Sequence, residues 1–140
     1  MSTQMLRVIV AVVLLFHGVG HALGVLPAFG LTLGRTHAAG SWLAAGANGI
    51  GRGQAIGFAL WALALVGFVS AGFAVVGWLV PQSWWSVLAL VSAVVSMLAL
   101  VFFWWGLPLL FPHKVGAIAA NLAVFVCVLW LRLPSQLLED

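Results

Sequence analysis

The sequence predicts an all-α membrane protein, a single domain over residues 1–140 folded as a four-transmembrane-helix bundle with a long Gly-rich first loop. Three observations predict it. Hydrophobic residues make up 65% of the chain, charged residues only 5%, and the mean hydropathy is +1.25; a soluble domain needs roughly a quarter of its residues charged to cover its surface. Four apolar segments, about 6–26, 54–80, 84–105 and 115–133, each approach the ~20 residues that cross a bilayer. The five basic residues, Arg7, Arg35, Arg52, Lys114 and Arg132, stand near the ends of those segments, where long cationic side chains snorkel to headgroups.

The first segment runs from about Leu6 to Leu26. Arg7, the apolar run from Val8 to Phe16, and Gly20-His21-Ala22 also have the outline of a signal peptide with its cleavage site; we read the segment as a retained transmembrane helix closed by Pro27. The loop from Pro27 to Gly53 is rich in Gly, Ala and Ser and longer than connections in compact bundles normally are. Its middle, Ser41 to Ala45, is expected either as a short interfacial helix capping the bundle or as plain loop.

The second segment, about Gln54 to Val80, is long enough to span with tilt. Pro81-Gln82-Ser83 then predicts a tight turn into the third segment, Trp84 to Trp105, so these two helices form an antiparallel hairpin. Leu107 to Lys114, with Pro108 and Pro112, reads as an interfacial connector. The fourth segment, Val115 to Leu133, precedes a tail holding both acidic residues, Glu139 and Asp140.

Four helices place both termini on one side. Orientation stays open, because Arg7 and Arg132 on that side face Arg35, Arg52 and Lys114 on the other, too even a split for the positive-inside rule. Trp78, Trp84, Trp85 and Trp130 predict one interfacial belt, and Trp42, Trp104 and Trp105 the opposite one. Small residues at helical spacing mark expected packing stripes: Gly20 with Gly24, Gly67 with Ala71, Ser92 with Ser96, and Gly116, Ala120, Ala123 and Cys127.

Composition removes several function classes. The net charge of +3 comes from scattered residues, with no basic patch for nucleic acid. One cysteine, Cys127, rules out an intramolecular disulfide and a dithiol relay. The first acidic residue is Glu139, so no carboxylate within the apolar segments couples transport to protons or orients a base for Ser70, Ser92 or Ser96.

What remains is a polar layer. Phe16-His17-Gly18-Val19-Gly20-His21 puts two imidazoles four residues apart, on one helix face. Counted from the loop side at 1.5 Å per residue, His21 lies roughly 8 Å deep, Trp61 and Asn121 roughly 10 Å, and His17 and Ser96 roughly 14 Å. His37 and His113 fall in the two connections on that side. Like charges in an apolar setting repel and lose hydration, so both buried imidazoles are expected neutral.

Three readings of this layer stand. The rings hydrogen-bond to Asn121, Ser96, a backbone carbonyl or water as packing elements. They hold haem or a transition metal, with His17, His21, His113 and His37 as the candidate ligands. Or they line a small-molecule or proton path, the default for ionisable groups at membrane depth. Against a zinc hydrolase, the spacing reads HxxxH without the glutamate base. One b-type haem iron needs ligands from opposite faces, so His17 and His21 cannot both serve it, whereas His21 with His113 is conceivable.

The function favoured on these grounds is non-enzymatic. It is a small membrane subunit or binding protein, in lipid and against a protein partner or second copy, with an apolar or planar ligand near His17, His21, Trp61, Ser96 and Asn121. A haem- or metal-dependent redox protein is the first alternative and a small passive transporter or channel the second.

Overall fold

The computed structural model describes residues 2–26, 50–104 and 114–133. Residues 27–49 of the first loop, with Arg35, His37, Trp42 and the 41–45 segment, residues 105–113 with Trp105 and His113, and the acidic tail lie outside the described residues; residues 50–53, expected in the loop, instead open the second long helix. Within them all regular structure is helical.

Helix α1 (Thr3–Gly20) starts earlier than expected because Ser2 caps it, its hydroxyl accepting from the Met5 N–H at 3.3 Å. At His21 the chain makes a turn, with its N–H bonded to Gly18 O at 2.9 Å, and resumes as the short α2 (Ala22–Val25). Helix α3 (Ile50–Val75) and helix α4 (Trp85–Phe102) follow, joined through a 3-10 turn at Gln82–Trp84. Helix α5 (Val115–Phe125) runs on into a π-helical turn at Val126–Trp130. Three stretches are long and apolar enough to cross a membrane, Thr3–Val25, Ala55–Val75 and Gln82–Phe102, and Val115–Trp130 is a shorter apolar helix.

The second segment ends at Val75, not Val80. Gly77 takes a left-handed φ of +71°, the Trp78 N–H reaches back to Phe73 O at 2.9 Å and the Gly77 N–H to Ala74 O at 2.9 Å. This is a Schellman stop. The Phe73 and Trp78 rings meet edge-on at 5.0 Å, the apolar clasp that accompanies such a stop. Gln82 Nε2 then donates to Val75 O at 3.0 Å, satisfying another terminal carbonyl. Gly77 ends the helix, and Pro81 only follows the stop.

Backbones approach closely where glycines face a neighbour. A Cβ on Gly18 would sit 3.0 Å from Phe68 Cβ and 3.1 Å from the Val69 nitrogen, and one on Gly72 would sit 3.2 Å from Ala11 O. Going up α1, contacts therefore move down α3, so the two are antiparallel. Gly67 lies against Ser92 and Gly57 against Phe103, giving the same antiparallel sense for α3 and α4, the expected hairpin. Helix α5 packs on α4, while α1 and α5 share little backbone contact.

Three expected surfaces are placed differently. Gly20 and Gly24 do not form one packing stripe: the His21 turn separates them, Gly24 presses on the Trp61 ring, and nothing lies within 4 Å of a Cβ on Gly20. On the fourth segment the packed face is Ala117, Ile118, Asn121, Val124, Phe125 and Val128, and Ala123 is exposed. Asn121 must find partners, so it sets the rotation of the helix. Trp85 is not a belt residue: it is 2% exposed, in the core with Ala71, Val75 and Ala89, whereas Trp78, Trp84 and Trp130 are exposed.

Two apolar clusters result. One gathers Leu14, Phe68, Ala71, Val75, Trp85 and Ala89; the other gathers Trp61, Ala99, Leu100 and Phe103. Ser96 and Asn121 stand between them on their helices, and the two histidines of α1 meet them there.

Candidate functional site

The polar layer closes into a ring of hydrogen bonds. His17 Nε2 lies 3.0 Å from Asn121 Oδ1, Asn121 Nδ2 donates to Ser96 Oγ at 2.7 Å, Ser96 Oγ lies 2.7 Å from His21 Nε2, and His21 Nδ1 lies 2.8 Å from His17 O. The acceptors fix the protons. Asn121 Oδ1 is a carbonyl oxygen, so His17 donates from Nε2; His17 O is a carbonyl, so His21 donates from Nδ1. Ser96 already accepts from Asn121, and the acceptor open to its own hydrogen is His21 Nε2. Every donor therefore points the same way round, and His21 takes part as a neutral imidazole.

Local structure puts each group there. His17 and His21 are one turn apart, and the rings meet edge-on with centroids 4.8 Å apart. The turn at His21 lets its side chain bond back to the His17 carbonyl, an acceptor that the loosening helix leaves open. Asn121 and Ser96 are fully buried and His21 is nearly so. In such surroundings an unpaired polar group costs more than a paired one contributes, which ties α1, α4 and α5 into one register.

Aromatic rings wall the layer. Phe68 stands 4.6 Å from the His17 ring and 5.4 Å from the His21 ring, and Trp61 stands 5.6 Å from His21. Sequence reasoning brought His17, His21, Trp61, Ser96 and Asn121 to one level, and they do meet. It missed Phe68, although Phe68 follows Trp61 by seven residues and so shares its face of α3.

Beside the ring lies a cavity of about 240 Å³, bordered by Phe16, His17, Gly20, His21 and Gly24 of the first segment, Trp61, Leu100, and Gly116 and Ala117 of α5. It occupies the seam between α1 and α5, where the two backbones stand apart, and Phe16 at its rim is 76% exposed. Gly20 and Gly116 face this space without side chains to fill it.

As a metal site the layer is limited by its own bonds. Both nitrogens of His21 are engaged; His17 Nδ1 is the ring nitrogen with no hydrogen-bond partner among the described residues. Among those residues no three His, Cys, Asp or Glu side chains converge, and the other two candidate ligands, His37 and His113, lie outside them. Cys127 is partly buried on α5's π turn, away from the ring. Lys114 at the start of α5 sits over the Trp104 ring at 4.8 Å, a cation–π contact.

Comparison with known proteins returns no matching family, no matching curated protein and no matching solved structure.

Proposed function

We propose that this chain is a multi-pass membrane protein, a four-helix bundle acting as a small binding subunit that holds a compact, apolar, planar ligand against the His17–His21 layer. Its long apolar helices support the membrane setting. So do the large exposed side chains such as Val13, Phe16, Leu63, Val91 and Leu129, which suit lipid or a neighbouring subunit.

The observation that carries the reading is the cavity itself. A polar ring whose sole purpose is to fasten helices is served by close packing, yet here it is bordered by about 240 Å³ of space walled by Phe16, Trp61 and two imidazoles. An apolar cavity of roughly 150 Å³ takes up one benzene, so this one has room for a single substituted ring. The opening between α1 and α5 would admit the ligand sideways from the hydrocarbon phase.

The test is purification in mild detergent followed by native mass spectrometry and extraction. A small apolar molecule or a protein partner held at constant stoichiometry supports the reading. A stable monomer carrying neither, and binding no single-ring probe at the cavity, would overturn it.

A further inference from the structure

Two polar atoms, on side chains that border the cavity, are left over once the ring has closed. His17 donates from Nε2, so its Nδ1 carries a lone pair, and Nδ1 has no hydrogen-bond partner among the described residues. Trp61 Nε1 is a donor equally without one. Both side chains border the cavity. By contrast the Ser96 hydroxyl, the Asn121 amide and both His21 nitrogens are all engaged within the ring, His21 Nδ1 with the His17 carbonyl. The binding region thus offers one acceptor and one donor in an otherwise apolar space.

We infer that the ligand is a hydroxyl-bearing single-ring compound of the phenol class, whose O–H donates to His17 Nδ1 while its oxygen is open to the Trp61 N–H. This rests on the binding reading above and adds the chemistry of the occupant. A hydroxyl is the smallest group that both donates and accepts. A purely apolar ring would leave both atoms unpaired beside it, the situation in which a polar site rejects an analogue lacking its hydrogen-bonding group. A carbonyl or ether oxygen would satisfy Trp61 and leave His17 without a donor. The ligand in this account is neutral, because no Lys or Arg among the described residues borders the cavity.

The test compares phenol, anisole and toluene by ligand-observed NMR on the full chain in mild detergent. The Gly20→Leu variant serves as the reference that removes micelle partitioning. Gly20 borders the cavity and has open space for a Cβ, so a leucine there is placed to occupy the site without disturbing packed neighbours. Expected is a wild-type-specific signal for phenol with a Kd at least about tenfold below those of anisole and toluene. Wild-type-specific binding of toluene or anisole as tight as that of phenol would overturn the phenol inference and leave the binding reading standing. If no compound distinguishes wild type from Gly20→Leu, both fall.

Discussion

Replacing Asn121 by Ala removes two hydrogen bonds at once, the 3.0 Å bond from His17 and the 2.7 Å bond to Ser96, and leaves the His17 N–H without its acceptor and Ser96 Oγ one donor short, held only by its bond to His21, around a fully buried position. Interhelical hydrogen bonds between membrane helices average ~0.6 kcal/mol and reach ~1.7 kcal/mol. Two of them give about 1–3 kcal/mol, and the His17 N–H stranded without an acceptor pushes the loss toward the upper end. We expect about 3 kcal/mol of destabilisation, read from reversible unfolding in mixed micelles. Ser96→Ala breaks a bond in common with Asn121→Ala, so the double variant should lose less than the sum of the singles, by at least ~0.6 kcal/mol. A loss below ~0.5 kcal/mol for Asn121→Ala, or strict additivity of the pair, would refute the closed ring as the feature that fixes α1, α4 and α5 together.

Three glycine substitutions check the packing in the same assay. Gly67→Ala drives a methyl into Ser92, whose hydroxyl is held by Leu88 O at 2.6 Å, and should cost about 1–3 kcal/mol; a neutral result would mean α3 and α4 are not in contact there. Gly20→Ala meets open space and should be neutral or stabilise by up to ~1 kcal/mol through helix propensity, so a marked loss would show that Gly20 is packed. Gly77→Ala forces a side chain into a left-handed position and should cost about 1 kcal/mol, whereas unchanged stability would remove the Schellman stop as the reason α3 ends at Val75.

Much of the site was legible because depth along an apolar helix is a one-dimensional quantity. A fixed rise per residue was enough to set His17, His21, Trp61, Ser96 and Asn121 at one level without knowing how any helix was rotated. Rotation was harder to read. The stripe through Gly116, Ala120, Ala123 and Cys127 obeyed the rule that small residues pack, but a single buried amide outweighed it, and α5 turned to give Asn121 its partners. Trp85 misled for a related reason. A tryptophan at a segment end reads as an interfacial anchor, yet here the hairpin folds over it, and its Nε1 is enclosed with no hydrogen-bond partner among the described residues.

By itself the sequence determined the helical class, the number of apolar segments, the α3–α4 hairpin and the common level of His17, His21, Trp61, Ser96 and Asn121. Composition and period set all four, and both are properties of the chain read in one dimension. Only the tertiary structure decided that the layer closes head to tail through neutral groups, that Phe68 and Trp61 wall it, and that a cavity remains between α1 and α5. Those features depend on which face each helix turns to its neighbours. In a chain this apolar nearly every face is hydrophobic, so hydrophobicity has little to choose between. The choice falls to the few polar groups that must pair and the few glycines that let backbones meet.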